Sequence, residues 1–167
     1  CLNDIVTLDM SGHSKLKELI TYMSWMEELN LEGCVSLETL SCQIANISSL
    51  DLSDCSELKV LDCSSNAFTE LNLNANTKLE TVYCENNNLT TLDLRAAKDI
   101  SVVNAYNTIP MVAVYLHGMD ASVNVDPWTT VIRDGENPNI NFKDPKAKQY
   151  CITNWDTNGD LELSLEE

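Results

Sequence analysis

The stretch Leu58-Lys-Val-Leu61-Asp-Cys63-Ser-Ser-Asn66-Ala-Phe68-Thr-Glu-Leu71-Asn-Leu73 returns 21 residues later as Leu79-Glu-Thr-Val82-Tyr-Cys84-Glu-Asn-Asn87-Asn-Leu89-Thr-Thr-Leu92-Asp-Leu94. The register reaches back through Leu37, Leu40, Cys42, Ile47, Leu50 and Leu52, and before them Leu16, Leu19, Thr21, Met26, Leu29 and Leu31. Leu8 and Met10 are the tail of a still earlier copy. Forward, the pattern weakens to Ile100, Val103 and Ala105, then is expected to run one residue short through Ile109, Val112 and Val114. A fixed period of this length marks stacked repeats, since one copy cannot bury its apolar edge alone.

Within a copy, Leu-x-x-Leu-x-Cys predicts a short strand whose inward residues stack on the next coil. Leu-x-Leu predicts a second strand of period 2 on another side. Parallel strands lie about 4.8 Å apart, so five coils make a stack on the order of 24 Å long. The Asn66/Asn87 position falls where the chain turns off the first strand, and its amide suits a ladder that satisfies backbone groups between coils. The pattern resembles the leucine-rich repeat, with Cys at the third apolar position. More narrowly, it is similar to the bacterial 21-residue class whose second half reads Leu-x-x-Leu-Asp-Leu. The resemblance covers roughly residues 5–115. It implies a right-handed leucine-rich-repeat β-solenoid of about five coils over residues 5–120, with two short parallel strands per coil. Leu52, Leu58, Leu61, Cys63, Leu71, Leu73, Leu79, Val82, Cys84, Leu92 and Leu94 are expected inside. About function the repeat is nearly silent, because such folds serve many partners.

Composition narrows the classes. The chain has 167 residues with 10 Lys+Arg against 26 Asp+Glu, a net charge of −16. Nucleic-acid binding draws on cations that displace phosphate counterions, so no nucleic-acid partner is expected. Docking to an anionic membrane is disfavoured likewise. No apolar run of about 18 residues exists, so no transmembrane segment is predicted. No charged-then-apolar leader precedes Cys1, and no signal peptide is visible. His13 and His117 lie far apart with no nucleophile motif beside either, and no phosphate loop, dinucleotide fingerprint or zinc signature appears. The expected protein is not an enzyme.

There are seven Cys, an odd number. Cys42, Cys63 and Cys84 share one repeat column and read as buried fillers, since ligands aligned along a stack do not converge on one metal. Cys34 and Cys55, with His13 one coil earlier, form a second column at a turn, where a disulfide or weak metal contact is the alternative to packing. Cys1 reads as a repeat residue rather than a lipidated terminus. Asp9, Asn30, Asp51, Asn72 and Asp93 fall between the paired Leu of the second strand, as a solvated polar face with calcium as the alternative. Outward positions of the first strand are Glu18, Ile20, Tyr22; Thr39, Ser41, Gln43; Val60, Asp62, Ser64; Thr81, Tyr83, Glu85; and Val102, Asn104, Tyr106. Solenoids commonly bind through this face. The expected binding residues are Tyr22, Asp62, Tyr83, Glu85, Asn104 and Tyr106, with Trp25 nearby. The alternative for the Tyr residues is that they are simply good strand formers.

Residues 1–121 are thus expected as the solenoid, 122–143 as a β cap or linker, and 144–167 as a helix with a loop. In the middle part, Ser122–Pro127 and Trp128–Arg133 read as two short strands. Asp144-Pro145 is an N-cap followed by proline, starting a helix from Lys146 to about Trp155 that carries Cys151 as a packing residue. The segment 156–167 resembles an EF-hand calcium loop. The resemblance assigns ligands to Asp156, Asn158, Asp160, the Glu162 carbonyl, Ser164 and Glu167. Leu161 stands where glycine is expected, and the chain stops at the twelfth loop position, so the module reads as truncated. Weak calcium binding, about 10⁻⁴–10⁻³ M or poorer, is implied. Helix-plus-loop units of this wording resemble those of bacterial surface proteins with leucine-rich repeats. The expected function is a binding or adhesion module, extracellular or on a bacterial cell surface, for a protein or glycan. The alternative is a structural spacer stiffened by calcium.

Overall fold

The computed structural model describes residues 5–21, 25–106, 108, 111–118 and 121–133. Tyr22, Cys1, Cys151, the helix expected from Lys146 and the loop 156–167 lie outside the described residues. Among the described residues, eleven strands of three or four residues follow one another: β1 Thr7–Asp9, β2 Glu18–Ile20, β3 Glu28–Asn30, β4 Thr39–Ser41, β5 Val60–Asp62 and β6 Thr81–Tyr83. Then come β7 Thr91–Leu94, β8 Val102–Ala105, β9 Ala113–Leu116, β10 Ser122–Val125 and β11 Thr130–Arg133. All pairings are parallel. One six-stranded sheet runs β10-β8-β6-β5-β4-β2, while β11-β9-β7 and β1-β3 form two shorter sheets from the second strands. No helix occurs among the described residues, and none there is long and apolar enough to cross a membrane.

In the three-residue strands of the first sheet one inward residue sits at the centre. Leu19, Leu40, Leu61, Val82, Val103 and Val123 stack in register through the six-stranded sheet. Behind them lies a second apolar column of Met26, Ile47, Phe68, Leu89 and Met111, all fully or almost fully buried. Burying columns of this kind is what holds coil to coil, at roughly 25 cal/mol per Å² of apolar surface removed from water.

The predicted ladder is present. Asn66 Nδ2 donates to the carbonyls of Cys42 (2.9 Å) and Cys63 (3.1 Å), while its Oδ1 accepts the Ile47 N–H at 3.1 Å. Asn87 repeats this toward Cys63 (3.0 Å) and Cys84 (3.0 Å) and accepts the Phe68 N–H at 3.1 Å. Thr108 takes the position in the following coil, donating its hydroxyl to the Cys84 carbonyl at 3.2 Å, and its own N–H goes to Asp126 Oδ2 at 3.2 Å.

Four expectations are corrected. The stack has six coils rather than five, because β10 joins β8 and β11 joins β9 in parallel register. The strands expected to cap the stack therefore extend it. The fifth coil is one residue longer than its predecessors, not one shorter: Leu92 pairs with Val114 and Leu94 with Leu116. Met111, Val114 and Leu116 are the inward residues, and Val112 is 49% exposed. The second strand is not formed in every coil, since Leu50–Leu52 and Leu71–Leu73 make no ladder. For the same reason Leu71 is half-buried against the core rather than enclosed by it. The remaining ten residues expected inside are buried.

The second, third and fourth coils turn off the first strand through a left-handed residue: Ile44 (φ 57°), Ser65 (φ 55°) and Asn86 (φ 55°). Asparagine tolerates that region and a β-branched residue does not. Ile44 is also 57% exposed, so its side chain gains little from burial. Ile44→Asn is therefore expected to raise the unfolding free energy by about 1 kcal/mol, read from the urea midpoint at unchanged slope. A lower midpoint would show that the isoleucine packs in a way its exposure does not suggest.

Candidate binding face

The pairing register sets one row of outward side chains across six coils: Ile20, Ser41, Asp62, Tyr83, Asn104 and Asn124. Two residues on, Gln43, Ser64, Glu85 and Tyr106 form a second row where the chain leaves the sheet. Of the expected binding residues, Asp62, Tyr83, Glu85, Asn104 and Tyr106 thus come together on three successive coils. Tyr106 is half exposed, at 51%, whereas Asp62, Tyr83, Glu85 and Asn104 are partly shielded by their neighbours. Trp25 is largely exposed.

Hydrogen bonds fix most of this surface. Asp62 Oδ1 accepts the Ser64 hydroxyl at 2.6 Å and its N–H at 3.2 Å. Asn104 Oδ1 accepts Asn124 Nδ2 at 3.0 Å and the Tyr106 N–H at 3.5 Å. Gln43 Nε2 donates to Ser41 Oγ at 3.3 Å. Glu85 is the exception: its Oε2 is buried and has no hydrogen-bond partner. Burial first, and the neighbouring Asp62 charge second, push its carboxyl above the usual carboxylate range. The charged residues at the outward positions of the described first strands are Glu18, Asp62 and Glu85, and none is Lys or Arg.

Three lysines at the rim are engaged there. Lys17 and Lys59 both reach Glu38, at 2.8 and 2.9 Å, tying three coils along one edge. Those two ammonium groups hold the Glu38 carboxyl at about 2. Lys78 pairs with Glu57 at 2.6 Å. On the second-strand side, Arg95 bonds Asp93 at 2.7 Å and lies 5.2 Å from the Tyr115 ring centre.

A concavity lies elsewhere. A groove of about 810 Å³ opens where the second-strand ladder is missing, lined by Ser49, Asp51, Thr69, Glu70, Asn72 and Thr90 among others. Hydroxyls, amides and carboxylates line it. The Asp/Asn column beside it has a local task that the sequence reading missed. Asp9, Asn30, Asp51, Asn72 and Asp93 each accept the N–H two residues on, from Ser11, Glu32, Ser53, Asn74 and Arg95. These bonds close the turn after each second strand. The Asp/Asn-x-polar spacing was the available signal.

Cys34, Cys42, Cys55, Cys63 and Cys84 are free, buried thiols. Burial pushes Cys42 and Cys84 up to about 12 and raises Cys63 too, so the column is a stack of neutral packing groups. In the second column Cys34 Sγ donates to the Met10 carbonyl at 3.1 Å, while Cys55 is pushed up to about 11 by burial. His13 Nδ1 is taken by the carbonyls of Met10 and Ser11 at 2.9 and 3.1 Å. No group of three or more His, Cys, Asp or Glu among the described residues is placed to hold a metal ion.

The functional domain of InlJ from Listeria monocytogenes, which includes a cysteine ladder, has a similar structure. The likeness is one of fold. The TM-score is 0.59 at 21% sequence identity, over 79% of this chain and 33% of that one. The chain thus spans about a third of that protein's length. No family model and no curated protein matches the sequence. With the repeat register and the parallel sheets, the likeness shows a β-solenoid fold.

Proposed function

We propose that the chain is a non-enzymatic binding or adhesion module, displayed outside a bacterial cell, that meets a protein or glycan through the first-strand face. The observation that carries this reading is the in-register row Asp62, Tyr83 and Asn104, flanked by Glu85 and Tyr106, on the one sheet that spans all six coils. Aromatic and polar groups held on a rigid sheet lose little conformational freedom on binding, which favours such a surface over a loop. The fold likeness to a domain of a Listeria protein supports the bacterial setting. Free thiols are compatible with an oxidising exterior here, because burial keeps the thiolate form away from oxidants.

Replacing both rings, Tyr83→Ala with Tyr106→Ala, tests it. Screened against arrayed glycans and proteins, the full chain should lose at least ten-fold in signal to its partner, with a melting temperature changed by no more than about 2 °C. An equal loss of stability would make the rings structural.

The calcium reading, with a spacer role, rests on the residue pattern alone: Asp156, Asn158, Asp160, Glu162, Ser164 and Glu167. Isothermal calorimetry should show weak binding, tightened by Leu161→Gly in a chain extended past Glu167, because glycine relieves the sharp turn. No heat from either chain removes calcium from the proposal.

A further inference from the structure

We infer that the groove on the second-strand side is a site for a neutral oligosaccharide, whose hydroxyls bridge the coils where the ladder is missing. This site is independent of the first-strand face. Its volume of about 810 Å³ lies within the roughly 300–1,000 Å³ of small-molecule clefts. Three successive coils build it. The third coil supplies residues 69–74, and the second and fourth flank them with residues 49–51 and with Thr90, Thr91 and Asp93.

The backbone inside the groove is unpaired. Residues 49–51 and 69–72 make no backbone hydrogen bond among the described residues. The flanking strands β3 and β7 pair only with β1 and β9, so one edge of each also faces the open stretch. In a parallel ladder the N–H groups of one strand face the carbonyls of the next. Where that direct bond is not made, a bridging group must accept from one coil and donate to the other. A hydroxyl does both through a single oxygen, as a bridging water does. An ammonium only donates, and a carboxylate only accepts.

The side chains fit the same chemistry. Ser49, Thr69, Glu70 and Thr90 are exposed, and their side chains make no hydrogen bond among the described residues. Asp51, Asn72 and Asp93 stand beside them, fixed by the turns they close. The two oxygens of the Glu70 carboxylate can accept from neighbouring hydroxyls of one sugar ring. Leu50 and Leu71 are half-buried and offer the ring carbons an apolar surface. At a spacing of about 4.8 Å between parallel strands, three coils span the length of roughly two or three pyranose units. Asp51, Glu70 and Asp93 line the groove without a lysine or arginine among its lining residues, which repels an anionic polymer. A peptide added as a strand draws specificity from pockets for alternate side chains, whereas this lining is hydroxyl, amide and carboxylate.

The probes are two uncharged glucose hexasaccharides, cellohexaose and maltohexaose, titrated into the full chain and followed by amide shifts in NMR spectra. Hexagalacturonate, with a carboxylate on each ring, and the peptide acetyl-Gly-Ser-Gly-Ser-Gly-Ser-amide serve as comparisons. At least one neutral sugar should move the amides of Leu50, Asp51, Leu71 and Asn72, and hexagalacturonate should bind at least ten-fold more weakly. Combining Thr69→Val, Glu70→Ala and Thr90→Val should cost at least ten-fold in affinity, with the melting temperature kept within about 2 °C. Silence of both sugars at millimolar concentration would overturn the site. Equal binding of hexagalacturonate, or an unchanged affinity of the triple variant, would do the same. Sugar shifts centred on Tyr83 and Asn104 would overturn the groove and leave the first-strand reading standing. Shifts at the groove from the peptide, with both sugars silent, would replace the oligosaccharide by a docked strand.

Discussion

Asn87→Ala should lower the unfolding free energy by about 3 kcal/mol, a large share of what a domain of this size possesses. The side chain is buried and bonds backbone groups of two coils at once. Its amide donates to the carbonyls of Cys63 and Cys84, and its Oδ1 accepts the Phe68 N–H. Truncation does not strand all three equally. The Cys63 carbonyl keeps Asn66, and the Cys84 carbonyl keeps Thr108. The Phe68 N–H loses its acceptor, and an orphaned buried donor costs more than a lost bond to solvent gains back. Asn87→Thr, which copies the residue used one coil later, should cost less because a hydroxyl still donates to one carbonyl. Urea unfolding of the two variants settles the order. A loss below about 0.5 kcal/mol for alanine would mean that the ladder is a consequence of stacking rather than one of its causes.

That ladder was legible in the sequence, and the reason is physical. An inward position repeats because the next coil repeats the environment that selects it, so Leu61, Cys63, Asn66 and Phe68 could be placed from register alone. What depends on the distance between coils could not. Leu29-Asn30-Leu31 and Leu92-Asp93-Leu94 contribute to ladders, while Leu50-Asp51-Leu52 and Leu71-Asn72-Leu73, with the same pattern, do not. The local pattern is the same in all four, so it carries no code for which of them pair. The fifth coil misled for another reason. Ile109, Val112 and Val114 form as good an apolar series as Met111, Val114 and Leu116, so periodicity cannot choose between two registers. The sixth coil was hidden because it is shorter: Val102 pairs with Ser122 at 20 residues and Ala113 with Thr130 at 17. Most of the candidate face followed from alternation along the first strand, and only Asn124, in the irregular coil, was missed.

The open stretch on the second-strand side should make the middle of the solenoid its weakest joint, and Phe68 is where that can be measured. The third coil holds its neighbours through the six-stranded sheet, the Asn66 and Asn87 bonds and the column Ile47, Phe68 and Leu89. At Leu50–Leu52 and Leu71–Leu73 the second ladder is absent, so the ring carries a larger share of the contact there. Phe68 is fully buried and is the largest such side chain among the described residues. Phe68→Ala should cost about 3–5 kcal/mol through lost transfer energy and the cavity left behind. In a solenoid, stability is close to a sum of coil terms and nearest-neighbour interfaces. A weakened central interface then uncouples the two ends. The urea transition of Phe68→Ala is expected to split or broaden, with hydrogen exchange at Leu61 and Val82 accelerating before that at Val114. Phe68→Leu, which adopts the residue of the next coil, should cost about 1 kcal/mol and keep one transition. A single, equally steep transition in the alanine variant would show that the first sheet alone couples the six coils, and that opening the second sheet leaves no weak joint behind it.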